Sequence, residues 1–315
     1  MPGPNTTYSN FYLSNEVEDQ FNSHLNLQPF CTVDNKLVGT PGMVRKINVY
    51  SATNGTQKLA ITVGNSQSIT VGYTQKDYTI LLAQNRFLYY DEEAMTDPMI
   101  VPVGMRHAGT DMFNTVNADI FAEFNKATRV VVVTGFDFAS FADAESLYNS
   151  EHLEGENLFG FVHPTDVAAI RKALKDDLKY VESFSRTGYI GTVAGMNLYT
   201  KKDATAGTIC TANKKAVTLF VKKGTEVEQS VGNARSADDA NVRKNTIFSR
   251  KYYLAALTDE TKAVKIVKGT AAVTTDTSVD STKTYYEASG LGYVEVTPAA
   301  GSNPNTLGYY EITAA

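Results

Sequence analysis

The stretch FGFVHPTDVAAIRKALKDDLKY (residues 159–180), followed by GYIGTVAGMNLYT (residues 188–200), decides the fold. Residues 159–162 form a short apolar run that His163-Pro164 ends, because the residue before a proline is pushed toward extended backbone. Thr165 and Asp166 then signal a helix expected to reach Tyr180. Val167, Ile170, Leu174 and Leu178 fall on its apolar face, and Arg171, Lys172, Lys175, Asp176, Asp177 and Lys179 on its charged one. Two β-type runs, 188–191 and 192–199, complete a compact α/β unit. Gly188, Gly191 and Gly195 do not sit between a strand and a helix at dinucleotide-binding spacing, so they read as tight turns.

Working toward the N-terminus, the fully apolar run 130–133 reads as a central strand, and 137–150 as a short helix. Residues 98–128 read as a loop feeding a long helix. Its start is signalled at Thr110 or Asp111, and its stripe is Met112, Phe113, Val116, Ile120, Phe121 and Phe124. Residues 43–82 switch to period two. Asn54-Gly55 between the alternating runs 44–49 and 59–63 reads as the type I′ turn of a long hairpin, with further strands at 68–74 and 78–82. A hairpin of this kind is too thin to bury its own faces and must lean on a neighbour. Residues 1–38 carry no sustained period beyond the helical spacing of Val17, Phe21 and Leu25 within 15–25, and read as an arm ordered against something else.

Toward the C-terminus, 203–213 is small and polar, as at a loop on a domain tip. Strands are expected at 216–221 and 226–231 around a Lys222-Lys223-Gly224 turn, a helical turn at 238–245, and strands at 246–256 and 261–267. From Gly269 the composition turns to Thr, Ser, Ala, Tyr and Gly. Three aromatic strand signals, at 283–287, 293–297 and 307–311, read as a small appended β module. It is too thin for its own core, so it should dock on the body or on another subunit, and its removal should leave the main fold intact.

With 43% hydrophobic and 20% charged residues the 315-residue chain reads as globular. No apolar run approaches the ~20 residues that cross a bilayer, and the first thirty residues lack the pattern of a signal peptide. The net charge is −5, concentrated in the tail, where Lys283 stands against five acids. No basic excess drives specific nucleic-acid binding. Cys31 and Cys210 have no ligand or redox spacing and read as free thiols. Asn5 and Asn54 head glycosylation patterns that read as coincidental without an export signal.

A catalytic search finds no phosphate loop and no nucleophile elbow. Glu151-His152 with Glu154 and Glu156 is the best metal candidate, His152 and Glu154 above all, but alternating acids around Gly155 read first as a solvated loop. His163 reads as a packing or turn residue, and Arg106-His107 has no visible partner. No cofactor and no enzymatic mechanism is expected.

The order of elements resembles the major capsid protein of tailed bacteriophages, an α+β fold of Hong Kong 97 type. The residues carrying the resemblance are 159–166 with the helix after them, 188–198, Thr225-Glu-Val-Glu-Gln-Ser230, Asn233-Ala-Arg235 and Phe248-Ser-Arg-Lys-Tyr-Tyr253. The resemblance implies an N-terminal arm (1–38), an E-loop hairpin (39–80), a peripheral domain with a spine helix (81–128), an axial domain (129–230) and a return to the peripheral domain (231–268), with 269–315 as the added module. It implies a structural protein that assembles as pentamers and hexamers into an icosahedral head shell around packaged DNA. Assembly contacts are expected at Asn54 and Gly55, the hairpin tip, and at Ala206 and Gly207, the axial tip. Its partners would be copies of itself, a separate scaffold protein (with Met1 as the start), a portal, a decoration protein and non-specifically held DNA, with no membrane. Assembly would take place in the host cytoplasm, and the mature place would be the virion. No Lys among Lys46, Lys58 and Lys76 is matched to the side-chain cross-linking of some members. The same fold serves encapsulin-type nanocompartment shells, the nearest alternative; a metal-dependent hydrolase using His152 is a more distant one.

Overall fold

The structure is a computed structural model that describes residues 25–148, 157–174 and 191–314. In chain order its strands are β1 (Thr32–Asp34), β2 (Val44–Ala52), β3 (Val71–Thr79), β4 (Leu81–Tyr90), β5 (Arg129–Val133), β6 (Leu158–Val162), β7 (Thr192–Val193), β8 (Met196–Thr200), β9 (Thr208–Asn213), β10 (Val217–Ser230), β11 (Lys244–Leu257), β12 (Ala263–Val273), β13 (Tyr285–Ser289), β14 (Gly292–Val296) and β15 (Tyr310–Ala314). The helices are α1 (Asp91–Thr96), α2 (Ile100–Phe124), α3 (Phe138–Tyr148), α4 (Pro164–Ala173) and α5 (Ala237–Asn241).

Every residue of β6 is buried, as an unbroken apolar run demands of a strand covered on both faces. β6 pairs parallel with β8 and antiparallel with β9 in a nine-stranded sheet ordered β15-β13-β14-β5-β12-β9-β6-β8-β7. On one face lie α3 and α4, whose Phe141, Leu147, Val167 and Ile170 pack with Leu158, Met196, Ile209 and Ile266. On the other, Phe159 and Phe161 meet Phe124 of α2 edge-on or tilted at 5.6 and 5.5 Å, and Phe30 at 5.0 and 5.4 Å. Burial of each such ring or branched side chain contributes about 1.5–3 kcal/mol. Pro164 opens α4 at its first position, and His163 is the N-cap, its Nδ1 accepting from Thr165 N–H at 3.3 Å. The turn reading of His163 therefore holds. β7 and β8 form a two-residue hairpin through Ala194 (φ +46°) and Gly195 (φ +76°), both left-handed as a type I′ turn requires.

The second sheet runs β1-β10-β11-β4. α2 lies across it, and Val116, Ile120 and Phe124 of its stripe are fully buried with Leu219, Tyr253 and Ala255. At 25 residues α2 is about 37 Å long, and it begins ten residues before the start read at Thr110. Pro102 falls in the first turn, where its missing N–H costs nothing. Gly104 is needed for contact, since a Cβ there would lie 2.3 Å from the Phe87 ring on β4. Thr110 instead donates back to the Arg106 carbonyl inside the helix.

Three further expectations are corrected. Residues 208–213 are not a tip loop but β9, a central strand between β12 and β6. Their small polar side chains are absorbed internally; Thr211 donates to the Val264 carbonyl (2.9 Å) and receives the Tyr148 hydroxyl (2.9 Å). Lys222-Lys223-Gly224 is not a turn. β10 runs through it as one strand of 14 residues, with register shifts at Val221/Lys223 and Lys223/Glu226. The tail docks on the body as expected, but as part of the main sheet and not as a separate module: β12 runs through Gly269, β15 pairs with its second half and β14 with the edge of β5. β13–β15 contact closes a ring of five strands, β12-β5-β14-β13-β15, with Tyr285 buried. β10 belongs with β11 and β4 in one sheet, and β12 with β5 and β9 in the other.

Candidate assembly surfaces

β2 and β3 pair along nine residues each, from Val44↔Thr79 to Ala52↔Val71, and form a sheet of their own. The hairpin is real, but its closing segment is residues 53–70 and not a turn at Asn54-Gly55. Gly55 is buried against Ile69, where a Cβ would lie 2.8 Å from the Ile69 side chain, and its carbonyl accepts from Asn65 Nδ2 at 2.9 Å. The reversal comes at residues 60–63, where Val63 N–H donates to the Ala60 carbonyl and Thr62 takes φ +80°. Asn54 and Gly55 thus sit where the closing segment meets the strands, and Ile61, 95% exposed, marks the far end.

Between residues 48 and 77 every residue except Gly55 and Gln57 is exposed. The exposed set includes Val49, Tyr50, Leu59, Ile61, Val63, Ile69, Val71 and Tyr73, and the Tyr50 and Tyr73 rings pair across the strands at 5.9 Å. An isolated two-stranded ribbon is marginal in water, and the subunit leaves these apolar side chains uncovered on it. At its base, Ile80 packs with Phe220 and Ala256, Tyr78 stacks on Phe220 at 4.9 Å, and Arg45 pairs with Asp34 at 3.2 Å.

A second surface lies where α2 crosses the second sheet. Leu81 and Leu82, both exposed on the edge strand β4, border a groove with Thr115, Asp119, Ala122 and Glu123 of α2. Both carboxylates are engaged from below: Asp119 accepts the Tyr253 hydroxyl at 2.6 Å, and Glu123 accepts Leu257 N–H at 3.1 Å. Burial, then Asp119, push the Tyr253 phenol upward.

A polar node fixes the distal end of β4. Arg235 donates to Asp91 Oδ1 at 2.6 Å and to Asn245 Oδ1, and Asn245 Nδ2 donates to the same Asp91 oxygen at 2.7 Å. The hydrogen bonds from Arg235 and Asn245 hold the Asp91 carboxyl below its ordinary range. Sequence signals flagged Arg235 only within the family resemblance, and nothing flagged Asp91 or Asn245 as its partners, which lie 144 and 10 residues away.

Ala206 and Gly207, expected at an outer tip, occupy the turn into β9. Gly207 N–H donates to Asp166 Oδ2 at 2.8 Å, and its carbonyl accepts Lys268 N–H at 2.8 Å, so this turn is tied to α4 and β12. His152 and Glu154, with Glu151 and Glu156, lie outside the described residues, as do residues 1–24 of the arm and residues 175–190. Arg106 and His107 lie within α2. Cys31 and Cys210 are free, buried thiols that desolvation raises to about 11 and about 12. Among the described residues no cluster of three metal-ligating side chains occurs, and no helix is long and apolar enough to cross a membrane.

No protein-family model matches the chain. The major capsid protein of Staphylococcus phage phiMR11 is 25% identical over 263 residues, covering 82% of this chain and 92% of that protein. Among solved structures, the cyanophage Pam1 capsid subunit matches with a TM-score of 0.62 at 10% identity, over 81% of this chain and 95% of that one. The mature capsid of bacteriophage PhiM1 matches with a TM-score of 0.62 at 11% identity, over 80% and 89%. At such identities the structural likeness is one of fold.

Proposed function

We infer that this chain, which has the Hong Kong 97-type fold, is a bacteriophage major capsid protein: a structural subunit that self-associates into an icosahedral head shell. The sequence likeness that spans 92% of a curated capsid protein carries this conclusion. The encapsulin-type alternative is not favoured by that relative.

Within this role the β2–β3 hairpin is the E-loop that reaches a neighbouring subunit. Its support is the exposed apolar surface from Val49 to Tyr73, which the subunit itself leaves uncovered. α2 is the spine of the peripheral domain, together with β1, β4, β10 and β11; the nine-stranded sheet with α3 and α4 is the body of the axial domain. Sheet membership supports this division. Obligate interfaces bury apolar side chains, and the hairpin exposes several of them.

Pentamers and hexamers are the assembly units of the proposal. A separate scaffold protein, a portal and a decoration protein are its further partners. Packaged DNA is enclosed without specific recognition, consistent with the net charge of −5. Assembly is placed in the host cytoplasm. The role assigned is structural, and no catalytic step is given to His152, Glu154 or any other residue. Negative-stain electron microscopy of the purified full chain tests the reading, with closed shells or tubes expected. Protein that sediments only as a monomer at every concentration and with phage scaffold supplied would sink it.

A further inference from the structure

β10 and β11 pair residue by residue from Val217↔Leu257 to Val221↔Tyr253, and pairing resumes at Lys223↔Tyr252. Lys222 is therefore the extra residue of a β-bulge, a device that re-aims one side chain out of a ladder. Its Nζ donates to the Thr40 carbonyl at 2.8 Å and to the Gly42 carbonyl. Those carbonyls belong to the segment that leads from β1 into the hairpin. Gly39 (φ +75°) and Gly42 (φ +98°) flank Thr40 and Pro41 there, and a Cβ at either glycine would meet nothing within 4 Å. The glycines are therefore needed for backbone conformation and not for space. On the return side a single residue, Ile80, joins β3 to β4; it is buried, and its N–H donates to the Met43 carbonyl at 2.8 Å.

We propose that Lys222 is a clamp that sets the angle at which the hairpin leaves the subunit, and so a positioning residue for assembly. Packing around Ile80 fixes one strand's root. The ammonium of Lys222 fixes the other by bridging two carbonyls across the left-handed glycines. Nine residues of β2 extend about 30 Å, so a 10° change at the root displaces the far end by about 5 Å. Interface cores are packed as densely as protein interiors and so register a shift of that size. The clamp is a property of the single subunit, and only its consequence for assembly rests on the capsid reading.

The test compares Lys222→Met and Lys222→Arg in the full chain. Hydrogen exchange on unassembled subunits should show residues 35–43 exchanging about tenfold faster in Lys222→Met, the loss expected for hydrogen bonds to a charged group. Peptides from α2 and β6 should keep wild-type rates, and Lys222→Arg should stay near wild type. Unchanged exchange at 35–43, or an equal rise throughout the chain, overturns the clamp. If Lys222→Met does not fold, Gly42→Ala strains the same root and should give the same local loosening, with wild-type exchange there again overturning it. Electron microscopy supplies the second arm, in which Lys222→Met should yield particles of mixed curvature. Loosened roots with wild-type particles would overturn the positioning role. Wild-type protein that makes no particles would sink the capsid reading, while the exchange result still decides the clamp.

Discussion

Gly292 of β14 lies so close to Val130 of β5 that a Cβ on it would stand 2.6 Å from the Val130 carbonyl oxygen and 2.5 Å from Leu147 Cδ1 of α3. The first of these is backbone held in a ladder and cannot withdraw. Gly292→Ala should therefore cost about 1–3 kcal/mol, the usual penalty of overpacking, although alanine is the better residue in an ordinary strand. Urea denaturation of the unassembled subunit measures it. An unchanged midpoint would mean that β14 does not dock on β5 as described.

The same contact reverses an expectation about the tail. Truncation after Lys268 would remove the second half of β12 together with the β15 paired to it, remove buried Tyr285 and bare the edge of β5. An exposed strand edge beside an apolar core promotes aggregation. The truncated chain should appear mostly in the insoluble fraction, and a soluble monomer with wild-type thermal stability would contradict this.

Ile61 is 95% exposed at the far end of the hairpin, and the subunit gains nothing from its side chain. Ile61→Ser should leave the melting temperature of the subunit within about 1 °C, since an exposed substitution is worth under about 0.5 kcal/mol. Particle yield should fall at least tenfold, because burying an isoleucine in an interface contributes about 1.5–3 kcal/mol at each copy. Yield is read by sedimentation, and normal particles from the variant would remove the hairpin from the interface.

The Asp91 node gives a pH dependence with a defined sign. Its folded-state carboxyl titrates below the ordinary value near 3.9, so between those two values the unfolded chain binds the extra proton. Stability from the node is then complete above the unfolded value and is lost as pH falls through the folded one. Arg235→Met should lower stability by about 1–3 kcal/mol at pH 7, from the lost charged hydrogen bonds. It should also flatten the acid limb below about pH 4. Denaturation curves from pH 7 to pH 3 test both; parallel curves for the two proteins would exclude the linkage.

How much was legible depends on whether the controlling contact was local. β6, β5, the stripe of α2 from Met112 onward and the start of α4 are carried by runs and spacings within a dozen residues, and they stand where the sequence puts them. The early start of α2 is hidden because Pro102 and Gly104 signal a break locally, while Phe87 explains Gly104 from another strand. β9 reads as a loop because Thr208, Thr211 and Asn213 are polar, and only Val264, Tyr148 and the flanking strands make them internal. Asn54-Gly55 carries a genuine turn signal. What overrides it is a partner at Ile69 and a strand register running to Val71. Lys222 carries only the local signal of a Lys-Lys-Gly turn, since a bulge is a relation between two strands.

The ring of five strands also imposes an order in time. β5 is made early, but Val130 and Arg129 receive their antiparallel partners only when Tyr293 and Val294 exist, some 160 residues later on the ribosome. At about 5–20 residues per second this leaves the edge open for roughly 8 to 32 seconds of synthesis. A nascent chain that already carries its hairpin therefore still lacks a finished body. Completion of the body therefore waits for its C-terminal strands, the last part of the chain to be made.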